Sequence, residues 1–514
     1  MPRGRQKLPL PIFPGGVRED INPAAIPDGG LLDSENWLTR QGIGRPRPGY
    51  VLVGSQLAAA DRTMGFGFRG SVGTETAVVV HTLTTAYSWD GLGTFTAITG
   101  TWTASTETQH VRMAAYMSGG TLWLVRTNIR NALDKWNGTG SFSDVGGSPP
   151  RATDITVLAG HILLFHTNDG TTDYPYRAQW NDFNDIDVWT STNTAELDAT
   201  PDEGIACRAF GPLSAGVYKE DSVWLAVAQA ARAPFQFQLV ERVPGPVSPA
   251  ALITYRGKHH WLAKDGVVYA FDGSRVQEAG RALATTIRTN FDWAQRAQTH
   301  GHALATSEPE LWWYYPVIGT TIRRPVSLNI TTGAMNPHLF ADNMSASSEW
   351  VAQATLAWND LTGTWNTLSA TYATWDAMGS EFIATAILGD RVGKVYQMGI
   401  PANDNGTAIA WDFTHGWKAP AGLGQRLFVD GVVSYWKKTT PALTVTVGLT
   451  VTDSLGDADT EATSTFDVST DSNHLVNFVN TRGQWARVKH SATSALSGLE
   501  HRGAALLGWI RGMA

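Results

Sequence analysis

The chain holds a single cysteine, Cys207, among its 514 residues. That excludes an internal disulfide framework and a cysteine-based structural zinc site, and a solitary thiol of this kind reads as a small core residue rather than a nucleophile. Charge is scarce as well: Asp, Glu, Lys and Arg make up 17% of the chain and the net charge is −7. The whole molecule therefore has no basic footprint for nucleic acid. No apolar run reaches the roughly 18 residues that a membrane-spanning helix requires. The opening, MPRGRQKLPLPIFPGG, is basic but broken by prolines at positions 9, 11 and 14 and lacks the apolar core of a secretory signal, so synthesis and retention in the cytoplasm are expected. GxSxG, HExxH and P-loop motifs are missing, and no GxGxxG stands in a strand–helix–strand setting.

What the chain has instead is turns and aromatics, with 52 Gly and 21 Trp. Many turns, many aromatics and few charges describe an all-β protein with large internal contact surfaces. Pro234–Arg281 makes the pattern concrete. It contains β-type runs at Phe235–Val240, Ala250–Tyr255, His260–Ala263 and Gly266–Phe271, separated by Pro244–Gly245, Arg256–Gly257, Asp265–Gly266 and Asp272–Gly273. Asp-Gly between β-branched and aromatic runs signals a hairpin, because Gly accepts positive φ without a Cβ clash. Small strands grouped in fours and closed by an aromatic–Asp–Gly corner describe one blade of a β-propeller.

The same unit recurs. Ala77–Ser88 leads to Trp89–Asp90–Gly91, Met113–Arg126 to Trp136–Asn137–Gly138, and Ile155–His166 to Trp180–Asn181–Asp182. Ile205–Val227 with Phe235–Val240, Ala250–Phe271, and His302–Pro316 with Val326–Ile330 supply three more units. The expectation is a six-bladed propeller, give or take one blade, over residues 51–406, with 350–400 as a partial unit able to close the ring. Residues 1–50 read as an extended arm in which Lys and Arg outnumber the acids. The arm is either a solvated tail or a segment that docks on a neighbour, and docking is the expectation because Leu31, Leu32, Trp37 and Ile43 would be left uncovered in a free tail. Its candidate assembly residues are Arg3, Arg5, Lys7, Trp37, Arg45 and Arg47. Alternating runs beyond Thr407 predict an antiparallel sheet or sandwich platform over 407–514.

Ile21–Asn22–Pro23, Pro27–Asp28–Gly29, Asn36–Trp37 and Arg45–Pro46–Arg47–Pro48–Gly49 together resemble the opening of the tail nozzle, or tail tubular protein B-like, proteins of short-tailed bacteriophages. Arg177–Asp182 with Val188–Trp189, then Pro234–Phe235, Gly245–Ser248, Lys264–Asp265–Gly266 and Phe271–Asp272–Gly273, are similar to the family's central blades. Arg482–Arg487 and Trp509–Gly512 resemble its C-terminal strand pair. The resemblance implies a virion structural protein in the tail, made in the host cytoplasm, with no cofactor. It also implies a homo-oligomeric ring, usually a hexamer, which meets the connector or adaptor and the tail fibre or spike proteins. DNA would pass through such a ring without specific binding, and a net negative wall suits that role because it repels phosphate. Residues 182–203 carry acids and no Lys or Arg. Asp182, Asp185, Asp187, Glu196, Asp198, Asp202 and Glu203 are therefore the candidate channel-facing patch.

Metal and catalytic signals are weak. His259–His260 lies in a strand, so the two rings point to opposite faces and cannot chelate one ion. Asn181, Asp182, Asn184, Asp185 and Asp187 offer oxygens but not the EF-hand order, and Asp453, Asp457 and Asp459 do no better. No catalytic, metal or cofactor residue is nominated, and the chain is read as a non-enzyme. The alternatives are a carbohydrate-binding, receptor-binding or lectin-like propeller with exposed aromatics, and a propeller glycosidase with paired carboxylates across its funnel.

Overall fold

The computed structural model describes the chain apart from residues 1–5, 11–15, 27–29, 41–42, 71–76, 92, 101, 104–105, 107–109, 230–233, 306–308, 354–381, 400–402, 420–424, 438–442, 454–460, 469–471, 495–498 and 513–514. It is an all-β molecule built from a β-propeller and a two-sheet platform. Six four-stranded antiparallel sheets follow one another along the chain. Blade 1 is Thr63–Arg69, Ala77–Thr82, Ala86–Trp89 and Phe95–Ile98, and blade 2 is Arg112–Ser118, Thr121–Thr127, Asp134–Trp136 and Ser143–Asp144. Blade 3 is Arg151–Leu158, His161–Asn168, Asp173–Trp180 and Thr194–Glu196, and blade 4 is Gly204–Ala209, Ser214–Lys219, Val223–Ala228 and Phe235–Glu241. Blade 5 is Leu252–Tyr255, Lys258–Leu262, Val268–Phe271 and Val276–Gly280, and blade 6 is His300–Leu304, Glu310–Pro316, Arg323–Asn329 and Met335–Pro337.

A composite blade 7 closes the ring. It takes Met344–Gln353, Phe382–Asp390 and Val395–Met398 from late in the propeller, and Tyr50–Leu52 from before its beginning. Of the partial unit expected at 350–400, the described strands up to Gln353 and from Phe382 to Met398 belong to this closing sheet, and residues 354–381 lie outside the described residues. The inner strand of blade 7 packs against those of blades 6 and 1, so the circle is complete. Pairing the first strand with the last gives the ring no free edge there.

Blade 5 shows why the local reading succeeded. Gly266 sits at φ +77°, its N–H donates to Ala263 O at 3.0 Å, and Asp265 accepts from Val267 N at 3.0 Å. Phe235–Glu241 is the outer strand of blade 4, as its grouping with Ile205–Val227 expects, although it also opens the stretch Pro234–Arg281 that otherwise forms blade 5.

Buried polar links hold neighbouring blades in register. The Tyr218 hydroxyl of blade 4 donates to His259 Nδ1 of blade 5 at 2.6 Å. Burial pushes the tyrosine pKa up and the histidine pKa down to about 3, so both partners are neutral. Between blades 1 and 2, Arg126 meets His81 Nε2 at 2.9 Å and Asp134 at 2.7 Å while lying over the Trp102 and Phe142 rings. Asp154 of blade 3 accepts from Arg112 of blade 2 and from Cys207 N of blade 4, at 2.9 and 3.0 Å. Cys207 is fully buried, and desolvation raises its pKa well above the usual thiol value, as befits a core residue.

The platform is a sandwich. One sheet orders Trp37–Arg40, Ile43–Pro46, His501–Gly512, Gln425–Trp436 and Ser472–Gly483, with Gln6–Leu10 also paired to His501–Gly512. The other runs on from blade 7 through Asn403–Asp404 to Thr407–His415, Trp485–Ser494, Leu443–Thr452 and Glu461–Val468, with Leu31–Glu35 also on Thr407–His415. Leu427, Val429, Val432, Val447, Leu449 and Val488 fill the space between the sheets. Every second residue of Leu443–Val447 is buried, the period expected of a half-buried strand.

This topology corrects the expectation for the opening segment. Residues 6–52 supply strands to the chain's own platform and to blade 7, so they are not a detached arm. Leu31 and Trp37 are fully buried, and Trp37 stacks on Phe413 at 4.5 Å and leans on Trp411 at 4.7 Å. Leu31 and Trp37, two of the side chains that argued for a neighbour, are covered from within, while Leu32 and Ile43 are half-buried.

Candidate functional site

The propeller axis is the natural place to look for a ligand, because the inner strands of all blades converge there. Those strands are rich in small residues, and Gly65, Gly67, Gly301 and Ala346 line an axial cavity of 560 Å³ together with Arg208 and Glu349. A wider cavity of 720 Å³ opens at one end and is lined by Arg130, His166, Asp173, Glu203 and Arg296. His110 borders both and stands between them, with Nδ1 against Met64 O at 3.1 Å. Burial, with Arg62 nearby, holds its pKa down at about 3.

His166 is the most constrained group at the wide end. It takes φ +51° at a break in register between Phe165 and Thr167, the backbone irregularity that re-aims a side chain out of a strand. Its ring reaches Gly204 O at 3.0 Å, Asp173 at 3.2 Å and Glu203 at 3.5 Å. In the inner cavity Glu349 is the one lining carboxylate among the described residues, and burial raises its pKa to about 7. Glycoside hydrolysis needs two carboxyl groups facing one bond, and this cavity offers one.

The acidic stretch is not a single patch. Strands alternate direction within a blade, so the Trp180-to-Thr194 connection and the Glu196-to-Gly204 connection lie at opposite ends of the propeller. Asn184 N bonds Gly160 O at 2.9 Å at one end, and Glu220 N bonds Glu203 O at 2.9 Å at the other. Several of these acids are also already engaged. Asp187 accepts from Lys135 and from Gly146 N, each at 2.6 Å, Glu196 pairs with Arg177 at 2.5 Å, and Asp182 accepts from Asn193 at 2.7 Å. Asp202 accepts from Asp221 N and Ser222, both at 2.9 Å, with Lys219 at 3.4 Å. Asp185 and Asp198 are left exposed, one at each end. Of the oxygen-rich run, Asn181 is buried and spends its amide on Tyr116 and on Asp185 O.

The assembly residues are placed as follows. Arg3 and Arg5 lie outside the described residues. Lys7 donates to the Tyr435 hydroxyl, and Arg45 lies on a strand paired with Leu38. Arg47 is almost fully buried and is the hub of the molecule. It pairs with Asp404 through both nitrogens at 2.8 and 2.5 Å, and donates to Asn36 at 2.8 Å and Leu339 O at 2.7 Å. One side chain thus ties the opening segment, blade 6 and the crossing into the platform. Beside it, a Cβ on Gly49 would lie 1.9 Å from Asn403 O, so only glycine allows that approach.

Sequence reasoning missed one constellation. His415, His490 and His501, from three strands, converge inside the platform with one ring nitrogen of each within 4.8 Å of the others. No spacing rule could have found them, because the first and second stand 75 positions apart and two different sheets contribute.

No family model matches the chain, and no curated protein does. Among solved structures it is similar to YCF48 bound to D1 peptide, with 11% identity, 69% of this chain and 96% of that one covered, and a TM-score of 0.37. It is also similar to BamB from Moraxella catarrhalis, with 11% identity, 72% and 97% covered, and a TM-score of 0.36. A third likeness, to a chain of the Mitotic Checkpoint Complex, has 7% identity, 68% and 93% covered, and a TM-score of 0.37.

Proposed function

We propose that the chain is a structural subunit of a short-tailed bacteriophage virion, a nozzle-type tail protein. Its copies form a ring, a hexamer by the family's habit, around the path of DNA during genome ejection. The observation that supports this most is the Arg47 junction. Asn36–Trp37 and Arg45–Gly49, the motifs that carry the resemblance, are the residues that lock propeller to platform. The motifs therefore serve the architecture that the resemblance implies and are not scattered turn signals.

The axial cavities have the size of small-molecule pockets and cannot admit a duplex. Any conduit must therefore lie between copies, around the axis of the assembly. The connector and the tail fibre or spike proteins are the expected neighbours, and no enzymatic step is assigned. The sugar-binding alternative has less support, because every Trp and Tyr whose burial is described is buried or half-buried, so among the described residues none of these rings stands fully exposed for a sugar to stack on.

Negative-stain electron microscopy of the purified chain at micromolar concentration tests the proposal. Closed rings with a central opening are expected. A monomer at every concentration overturns it.

A further inference from the structure

We propose that His415, His490 and His501 form a binding site for a divalent transition-metal ion, Zn²⁺ being the ion that fits best. His415 ends the strand Thr407–His415, His490 lies on Trp485–Ser494 in the same sheet, and His501 opens the strand His501–Gly512 of the facing sheet. All three are buried, at 2%, 0% and 0% exposure. Their ring centroids lie 5.6, 6.1 and 5.1 Å apart.

Aromatic packing alone does not account for the choice of residue. The surroundings are Trp37, Phe413 and Trp436, with Phe413 stacked on His490 at 4.9 Å and Trp436 leaning on His501 at 4.7 Å. A phenylalanine would fill such a space without burying a ring nitrogen, which costs free energy when it has no partner. His490 illustrates that cost. Its Nε2 is held by Ser434 Oγ at 2.7 Å, while its Nδ1 is buried with no hydrogen-bond partner. A hydroxyl that fixes one nitrogen and leaves the other as a lone-pair donor is the arrangement that orients metal-bound histidines.

Neutral imidazoles suit zinc, which takes three protein ligands plus water at about 2.0–2.1 Å in tetrahedral geometry. Binding would draw the nitrogens from their 4.8 Å limit to about 3.4 Å apart, a change small side-chain rotations supply. The ion would cross-link the two platform sheets. It would also secure the opening segment, since His415 pairs with Leu31 and His501 with Gly44. The site is closed to solvent, so the ion would enter during folding together with the one water that completes its coordination, and add its binding free energy to stability.

The test uses the full chain. Protein purified without chelator should carry close to one zinc per chain by elemental analysis. Unfolded with chelator and refolded with one equivalent of Co²⁺, it should develop the visible absorption of tetrahedral cobalt, and refolding with Zn²⁺ should raise Tm by a few degrees over metal-free refolding. H490Q and H501F should lose the cobalt band. The wild-type measurements decide the matter even if those variants do not fold. Substoichiometric zinc, no cobalt band and an unchanged Tm would overturn the site and leave the triad as packing alone.

Discussion

A single glycine in blade 5 shows how far one residue can be read. Asp265–Gly266 announces a hairpin in the sequence, and the structure supplies φ +77° together with a second constraint that the sequence could not reveal: a Cβ there would meet Ala284 O at 2.5 Å. Gly266→Val should therefore cost roughly 2–4 kcal/mol, from backbone strain and the clash together. A thermal melt within a degree of wild type would sink that account. Glu349 is the opposite case, a plain acid in the sequence whose behaviour is set by distant neighbours. The unfolded chain ionises it near 4.5, whereas the folded chain keeps its proton up to about 7. Between those values the folded state binds more protons than the unfolded one, so stability falls as pH rises through the window and then levels off. Replacing it by Gln should remove this slope and stabilise the protein at pH 8 by up to about 3 kcal/mol, with little effect at pH 4. Chemical denaturation at the two pH values reads the difference, and equal effects at both would refute the assignment.

At the scale of elements, legibility tracks contact distance along the chain. Blades 1 to 6 were readable because each is a run of hairpins whose turn residues lie between the strands they join. Blade 7 and the platform were only partly readable. Tyr50–Leu52 pairs with Tyr396–Met398, and Gln6–Leu10 with Ala504–Gly508, and such pairings leave no local signature in either partner. The arm was therefore assigned to a neighbour, when its apolar residues are spent inside the same chain. The corrected picture changes what a truncation should do. Removing residues 1–30 strips the Gln6–Leu10 strand from His501–Gly512 and the contacts of Val17 with Met335 and Leu31, uncovering a sheet edge. The truncated chain should melt several degrees lower and self-associate. Unchanged melting with a selective loss of ring assembly would restore the docking arm.

If the proposed ring forms around DNA, the question for the whole molecule is which surface a passing duplex would meet. With the axial cavities too small, the net charge of −7 matters only where it faces the centre of an assembly. The wild-type protein should not bind duplex DNA at physiological salt, since its net charge of −7 opposes phosphate. The acidic stretch supplies two probes of orientation, because Asp185 and Asp198 are exposed at opposite ends of the propeller. Asp182 and Asp187 are poor probes. Converting Asp187 to lysine would set two cations together at Lys135 and disturb the fold before it tested the channel. Asp185→Lys and Asp198→Lys each reverse one charge per subunit, and a ring repeats that reversal in every copy about one axis. The variant whose end lines the conduit should gain DNA affinity that weakens steeply with salt, by roughly one unit of log–log slope for each phosphate engaged. The other variant should stay inert. In particles, the first should slow genome ejection while assembly proceeds normally. If neither variant gains affinity, the acidic stretch faces outward at both ends. Micromolar DNA binding by the unmodified protein would replace the passive conduit with a DNA-binding component.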